Sequence, residues 1–213
     1  RFENFPIASI DEFPQLIADH PELHGMAVTI PYKLQVIPFI DDLDGLPEGL
    51  QSVNCIRIRN GKLYGFNTDH AGFEKSLGPL LKPSHKKALV LGNGGVTAAV
   101  IYVLKKWNIS YHIVSRRLKE DSTLTYADID AAIMDEYTLI INTTPLGMYP
   151  NTTTFPDIPY QFISEKHLLF EMVYNPVKTV FLQKGEERGA VIKNGHDMLE
   201  LQAEENWRIW NDL

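Results

Sequence analysis

The chain has 213 residues, of which 44% are hydrophobic, and a formal net charge of −7. This length and composition suit one sizeable core or two small ones, and the acidic balance argues against a nucleic-acid partner, because proteins that follow phosphates concentrate Lys and Arg. The single cysteine, Cys55, has no disulfide partner in the chain, no Cys/His spacing predicts a metal site, and no apolar run approaches the ~20 residues of a membrane span. We therefore expect a cytoplasmic protein that binds a small molecule and neither nucleic acid nor membrane.

The first part of the chain predicts a helix, a strand and a β-hairpin. Residues 9–12 read Ser-Ile-Asp-Glu, the S-x-x-E form of a capping box, and predict the start of a helix. Residues 24–29 are typical of a short strand. The dipeptide Asn60-Gly61 favours a type I′ turn, so we predict a hairpin with strands at residues 55–59 and 62–66.

From residue 88 onward, strand-like and helix-like segments alternate. The predicted strands are residues 88–91, 110–115, 138–142 and 168–173. The predicted helices are residues 96–107, 126–134, 178–188 and a last helix at 197–210, for which Asp197 is the expected N-cap. This alternation predicts an α/β fold with a Rossmann-like, doubly wound parallel sheet.

A glycine cluster lies between the first strand of this region and its first helix. Bare backbone at such a turn lets a pyrophosphate approach, and the helix N-terminus offers free N–H groups and the positive end of a dipole. Thr97 stands where G-x-G-x-x-G would have its third glycine, and a glycine-rich turn can also be only a tight connection. We predict a dinucleotide phosphate site formed by Gly92, Asn93, Gly94, Gly95 and Val96.

Two arginines indicate which dinucleotide is bound. Roughly twenty residues after the first glycine, an NAD site carries Asp or Glu for the ribose hydroxyls. This chain has Ser115, Arg116 and Arg117 there. Guanidinium groups match phosphate oxygens and stack on aromatic planes, so we predict that these residues hold the 2′-phosphate and adenine of NADP(H). The alternative is a solvated basic loop.

A lysine and an aspartate in the first part of the chain are candidates for proton transfer. Lys33 follows the turn at residues 29–32, and Asp69 follows the predicted hairpin. Hydride transfer at a secondary alcohol needs a proton given to or taken from the oxygen, and a Lys/Asp pair can do this without a metal. From the residues alone, two unrelated surface charges remain the alternative.

Taken together, these segments resemble the shikimate dehydrogenase family over nearly the whole chain. The match covers six motifs. Residues 25–33 are similar to G-x-N-V-T-x-P-x-K with Ala27 in place of Asn, residues 52–55 to A-V-N-T, and residues 65–69 to G-x-N-T-D. Residues 142–148 are similar to N-A-T-P-L-G-M, residues 174–179 to Y-x-P-x-x-T, and residues 198–203 to M-L-x-x-Q-A.

The resemblance implies roles for individual residues. It makes Lys33 and Asp69 the catalytic pair. The implied substrate contacts are Thr29, Asn54, Tyr174 and Gln202, and the further implied cofactor contacts are Thr143, Thr144, Met172 and Gly195. For Asn54 a turn-stabilising role is an alternative, and for Gln202 the alternative is a solvated side chain on a helix.

The resemblance also implies a domain organisation and an activity. Residues 1–84 would be the substrate-binding and catalytic domain, residues 85–195 the NADP-binding Rossmann-like domain, and residues 196–213 a helix that returns to the smaller α/β substrate domain. Residues 82–85 are the expected linker. The implied activity is the reversible, NADPH-dependent reduction of 3-dehydroshikimate to shikimate in aromatic amino acid (chorismate) biosynthesis, by a monomer or homodimer.

Two alternatives and three departures accompany this interpretation. The chain could be a quinate/shikimate dehydrogenase of relaxed specificity, or a non-catalytic shikimate- or nucleotide-binding regulator, against which the retained Lys33 and Asp69 argue. Family members begin with a strand and a serine-containing loop, so we expect the true start to lie upstream of Arg1. Glu171 replaces the common aspartate. His196-Asp197 replaces an apolar-glycine pair, and His196 either alters the nicotinamide end or is a solvated loop histidine.

Overall fold

The computed structural model describes residues 2–118 and 122–212, and the chain divides into two compact units. One unit comprises Arg1–Thr68 with Glu204–Leu213, and the other comprises Asp69–Ala203. By compactness, residues 69–84 therefore belong with the second unit. The predicted divisions at residues 84 and 195 are functional assignments, and they stay predictions.

The first unit begins with the predicted helix start. Ser9 Oγ accepts a hydrogen bond from Asp11 N at 3.3 Å, and Glu12 Oε1 accepts one from Ser9 N at 3.1 Å, so the capping box is confirmed. These bonds satisfy amide groups that a helix start leaves unpaired. A 3-10 turn at Ile10–Glu12 leads into helix α1, Phe13–Asp19.

A three-stranded antiparallel sheet follows, in the order β1-β2-β3. Strand β1 is Gly25–Ala27, shorter than predicted, while the hairpin strands β2, Cys55–Arg59, and β3, Lys62–Phe66, confirm the prediction residue for residue. Asn60 has a φ of 52° and Gly61 one of 73°, the left-handed pair that a type I′ turn requires. The buried core of this unit consists of Phe13, Val36, Val53, Ile56 and Leu63.

The end of the last helix, α6 (His196–Trp210), belongs to this first unit. Trp210 Nε1 donates a hydrogen bond to Ile56 O at 3.0 Å, and Arg59 Nη2 donates to Trp210 O at 2.5 Å. Gly25 leaves room for the indole, because a Cβ there would lie 2.1 Å from Trp210 Cδ1. The helix end is therefore held on β1 and β2.

The second unit contains a six-stranded parallel sheet in the order β6-β5-β4-β7-β8-β9. Numbered within this sheet, the order is 3-2-1-4-5-6, the arrangement of doubly wound dinucleotide-binding folds. The predicted fold class is confirmed. The strands are β4 (Lys87–Leu91), β5 (Ser110–Ser115), β6 (Leu124–Thr125), β7 (Leu139–Asn142), β8 (Leu168–Glu171) and β9 (Val191–Lys193).

Helices cover both faces of this sheet. Along β4, Ala88 and Val90 belong to one apolar core and Leu89 and Leu91 to the other, as the alternation of side chains along a strand requires. The first core contains buried residues of α2 (Asp69–Leu77), α3 (Thr97–Lys106) and the start of α6. The second contains residues of α4 (Ala131–Glu136) and α5 (Val180–Glu186).

Two helix predictions are wrong in detail. The segment predicted as one helix at 126–134 is a 3-10 turn, Tyr126–Asp128, followed by α4, because Ile129 between them is extended and Asp130 Oδ1 caps α4 through Ile133 N at 2.9 Å. Helix α6 begins at His196, so Asp197 lies inside its first turn instead of at the N-cap.

Candidate active site

The turn after β4 has the backbone of a phosphate cradle. Gly92 has a φ of 103°, and a Cβ there would lie 2.7 Å from Thr144 Cγ2 and 3.0 Å from Thr143 Oγ1. Only glycine fits both the conformation and the space. A Cβ at Gly94, in contrast, would have Thr143 O as its nearest neighbour at 4.0 Å, so this part of the turn is open. The cluster thus offers bare backbone in front of the α3 N-terminus.

Thr97 occupies the position of the missing third glycine, and its side chain holds the glycine turn through hydrogen bonds. Its Oγ1 accepts a hydrogen bond from Gly94 N at 3.0 Å and lies 3.0 Å from Thr143 Oγ1. Since Thr143 Oγ1 donates to Leu91 O at 2.9 Å, the Thr97 hydroxyl is the donor to Thr143. Thr97, which replaces the third glycine of G-x-G-x-x-G, therefore connects the glycine turn to the loop after β7.

The serine and two arginines lie at the same edge of the sheet. Gly92 N donates to Val114 O at 2.8 Å, which places the end of β5 beside the cradle. Ser115 Oγ donates to Arg117 O, and both arginine side chains are exposed. Burial raises the pKa of the Tyr126 hydroxyl, and the nearby Arg116 charge acts in the opposite direction. The Arg116 charge therefore lies near Tyr126 at this edge, and its contact with a phosphate stays a prediction.

The loops after β7 and β8 complete this edge. Thr144 donates to Asn142 Oδ1 through its N at 3.0 Å and its Oγ1 at 2.6 Å, which fixes the start of the first loop. Gly195 packs against the second loop, because a Cβ there would lie 2.2 Å from Met172 O. Among the residues assigned to the cofactor by resemblance, Thr143 and Thr144 thus follow β7, the neighbour of β4, and Met172 follows β8, the neighbour of β7.

Glu171 is a buried carboxylate that the sequence marked only as a departure from the family pattern. It is fully buried at the end of β8. Burial raises its pKa to about 7, and hydrogen bonds from Asn142, Val173, Thr179 and Met172 oppose that rise. Its partners lie on three different segments, so residue spacing carried no signal of this cluster.

The first unit brings together the predicted turn and the asparagine. Val28 N donates to Asn54 O at 2.8 Å, and Val53 N donates to Lys33 O at 2.9 Å, so the segments that carry Thr29, Lys33 and Asn54 run side by side. Thr29 is exposed and Lys33 is half-buried.

Asn54 belongs to a buried polar network. Its Oδ1 accepts from Thr68 N at 2.6 Å, and its Nδ2 donates to Thr68 Oγ1 at 3.0 Å. Thr68 Oγ1 donates in turn to Asn206 Oδ1 of α6 at 2.7 Å. These bonds support the turn-stabilising role of Asn54, and its substrate contact stays a prediction. Asp69, buried at 5% exposure, directly follows Thr68; sequence reasoning gave no sign of Asn206.

The remaining predicted residues lie in the second unit. Gln202 is half-buried beside Gly72, where a Cβ would lie 3.1 Å from Gln202 Cβ. Tyr174 is exposed on the loop after β8. His196 is exposed on the first turn of α6, 3.4 Å from Glu200 Oε1, which matches the solvated alternative except that it is helical.

Three further features concern Cys55, metal-binding groups and membrane-spanning helices. Burial raises the pKa of the Cys55 thiol to about 12, so this cysteine is not a thiolate near neutral pH. In residues 2–118 and 122–212, no group of three or more His, Cys, Asp or Glu side chains could hold a metal ion. Within the same ranges, each helix is too short or too polar to span a bilayer.

The strand order and the glycine turn define the class: a dinucleotide-binding α/β protein. A family profile described as the shikimate dehydrogenase substrate binding domain matches residues 2–56. The chain is 35% identical over 206 residues to shikimate dehydrogenase (NADP(+)) of Methanococcus maripaludis, covering 89% of this chain and 73% of that protein. It belongs to the shikimate dehydrogenase family.

Solved structures agree with this assignment. A chorismate mutase/shikimate 5-dehydrogenase fusion protein from Clostridium acetobutylicum superposes with a TM-score of 0.83 at 28% identity, covering 99% of this chain and 79% of that one. A shikimate dehydrogenase in complex with NADP+ superposes with a TM-score of 0.81 at 26% identity, covering 100% of this chain and 78% of that one.

Proposed function

We propose that the chain catalyses the reversible, NADPH-dependent reduction of 3-dehydroshikimate to shikimate, a step of aromatic amino acid biosynthesis. The observation that carries this proposal is the similarity to NADP-dependent shikimate dehydrogenase over 89% of the chain. The doubly wound sheet and its glycine turn supply the fold that such a cofactor needs. We also propose that it acts in the cytoplasm as a monomer or homodimer.

The residues of the second unit fit NADP(H). The open backbone at Gly94 suits the pyrophosphate, and Arg116 and Arg117 suit the 2′-phosphate and the adenine face. Thr144 and Met172 would flank the remaining part of the cofactor. When bound, NADPH supplies the hydride for the substrate carbonyl carbon.

Lys33 and Asp69 are the proposed acid–base pair. Reduction turns a carbonyl oxygen into a hydroxyl, so that oxygen needs a proton, which the Lys33 ammonium would donate. In the reverse direction, the same pair would take the hydroxyl proton. Asp69 is buried immediately after Thr68, whose hydroxyl is bonded to Asn54 and Asn206.

Thr29, Asn54, Tyr174 and Gln202 are the proposed substrate contacts. Hydroxyl and amide groups of this kind recognise a polyhydroxylated ring through directional hydrogen bonds. With them we propose that residues 1–84 form the substrate domain, residues 85–195 the nucleotide domain, and residues 196–213 the helix that completes the substrate domain.

Turnover assays with shikimate and quinate, each paired with NADP+ and NAD+, test this function. We expect shikimate with NADP+ to give the highest kcat/KM. Equal turnover of quinate would favour relaxed specificity. Binding of shikimate or NADP+ without turnover in any pairing would favour a regulator and contradict the proposal.

A further inference from the structure

Glu171 collects hydrogen bonds from three segments around the proposed cofactor edge. Asn142 Nδ2, at the end of β7, lies 3.1 Å from both carboxylate oxygens. Val173 N donates to Oε1 and Thr179 Oγ1 donates to Oε2, each at 3.1 Å. All of these partners donate, so the arrangement is complementary to an ionised carboxylate, which only accepts.

The carboxylate also sets the orientation of a second side chain. Because Asn142 Nδ2 points at Glu171, the Asn142 Oδ1 faces the other way and accepts from Thr144 N at 3.0 Å and Thr144 Oγ1 at 2.6 Å. This one amide therefore links Glu171 to Thr144, at the start of the loop after β7. Reversing that amide would break the bonds on both of its sides.

On the other side, Glu171 holds the loop after β8 and the start of α5. Val173 N is fixed by the carboxylate, and Val173 O accepts from Gly195 N at 3.2 Å. Met172 lies between Glu171 and Val173 in the chain, so both of its neighbours belong to this hydrogen-bonded cluster. Thr179 is the N-cap of α5, so its hydroxyl joins the helix start to the same carboxylate.

We propose that Glu171 is a positioning residue for the dehydrogenase reaction: it fixes the two loops that carry Thr144 and Met172 and thereby preorganises the NADP(H) site. This inference rests on the proposed function, since it takes those loops to contact the cofactor. Glu171 itself is fully buried behind them and acts through Asn142 and Val173.

The charge of Glu171 gives the proposal a pH signature. Burial raises its pKa to about 7, and a proton on either oxygen would displace one of the donors. The groups that face it from β7, residue 173 and α5 are uncharged. Among the described residues, Tyr160 interacts electrostatically with the Glu171 carboxylate. Burial raises the pKa of the Tyr160 hydroxyl, so Tyr160 stays neutral in this pH range. Loop order, and with it NADPH affinity, should therefore fall as the pH drops below about 7.

The test is NADPH binding, measured by fluorescence titration from pH 5.5 to 8.5, for the wild type, Glu171→Gln and Glu165→Gln. Glu165 is exposed in the same unit, so its variant makes the same chemical change outside the cluster. At pH 8 we expect Glu171→Gln to bind NADPH about tenfold more weakly, with a smaller loss in kcat than in kcat/KM. Glu165→Gln should match the wild type.

The pH profile separates positioning from general stability. The 2′-phosphate of NADPH titrates near pH 6 in every variant, so only the additional step near pH 7 should disappear in Glu171→Gln. A folded Glu171→Gln protein with wild-type affinity and pH profile would overturn the inference. If Glu171→Gln does not fold, Thr179→Val takes its place, because it removes one hydrogen-bond donor to Glu171 and keeps the charge of that carboxylate. Unchanged NADPH affinity in Thr179→Val would overturn the inference, and weaker binding would support it. Failure of the wild type to bind NADPH would instead reject the proposed function.

Discussion

Replacing Gly92 and Gly94 of the cradle one at a time should distinguish effects on folding from effects on cofactor binding. In Gly92→Ala, the backbone would have to hold alanine at a φ of 103°, with its Cβ 2.7 Å from Thr144 Cγ2. A left-handed conformation costs about 1 to 2 kcal/mol for a residue with a Cβ, and overpacking adds about 1 to 3 kcal/mol. We therefore expect Gly92→Ala to lower the free energy of unfolding by about 2 to 5 kcal/mol.

Gly94→Ala is the matched variant with the opposite expectation. Its Cβ would have only Thr143 O within reach, at 4.0 Å, so the fold can accept it. The smaller entropy of the unfolded chain should leave its stability unchanged or raise it by up to about 1 kcal/mol. The added methyl stands where the pyrophosphate approaches the backbone, and we expect NADPH affinity to fall at least tenfold, by roughly 1.4 kcal/mol or more.

Chemical denaturation and NADPH titration of both variants check these expectations. If Gly94→Ala binds NADPH as tightly as the wild type, the turn does not receive the pyrophosphate and the cradle interpretation is wrong. If Gly92→Ala is as stable as the wild type, the backbone argument fails instead.

Three further predictions concern charge. Lys33→Ala and Asp69→Asn should each lower kcat by roughly two to four orders of magnitude, while NADPH affinity stays nearly constant. If either variant kept the wild-type kcat, that residue would have no acid–base role. Arg116→Ala should raise KM for NADPH roughly tenfold, much more than KM for NADH, and the effect should be smaller at high salt. The control Lys105→Ala, on the exposed side of α3, should change neither KM. If Arg116→Ala raised both KM values equally, the arginines would belong to a solvated basic loop. In the cofactor-free protein, the stabilisation contributed by Glu171 should be lost between about pH 4.5 and pH 7.

Local signals explain which parts of the fold could be predicted. The hairpin prediction is correct to the residue because Asn60-Gly61 supplies both left-handed conformations within the turn itself. Strands β6 and β9 escape prediction because two or three residues show no periodicity. They exist through pairing with β5 and β8, which a sequence does not display. The segment 126–134 resembles one helix because its apolar pattern continues across Ile129, where the backbone is extended.

For the site, the sequence identified the segments but not the bonds between them. Motif resemblance pointed to Asn54 and to the segment 65–69, which contains Thr68. The third member of their network, Asn206, lies 138 positions from Thr68. Thr97 stood out only as a missing glycine, and its bond to Thr143 depends on the neighbouring positions of β4 and β7. Such contacts follow from tertiary packing and leave no regular spacing in the chain.

The pH dependence of stability is a second test of Glu171. We expect the stability that Glu171 contributes to fall as the pH rises, whereas NADPH binding should strengthen. The folded-state pKa is about 7 against an ordinary 4.5, so the folded protein binds the proton more tightly than the unfolded chain. The stabilisation is complete below pH 4.5 and is lost as the pH rises to 7. At 1.36 kcal/mol per pH unit the loss is roughly 3 kcal/mol.

Buried histidines act in the other direction and must be separated from this effect. Burial lowers the pKa of His85 and His167, so they make the folded protein more stable as the pH rises towards 6.5. The quantity to measure is therefore the difference in unfolding free energy between the wild type and Glu171→Gln at each pH, in which the histidine terms cancel. That difference should shift against the wild type from pH 4.5 to 7, while the same rise in pH strengthens NADPH binding more in the wild type than in Glu171→Gln. A difference that stays constant over this range would mean that Glu171 keeps an ordinary pKa in the folded protein, and that its hydrogen bonds fully offset its burial.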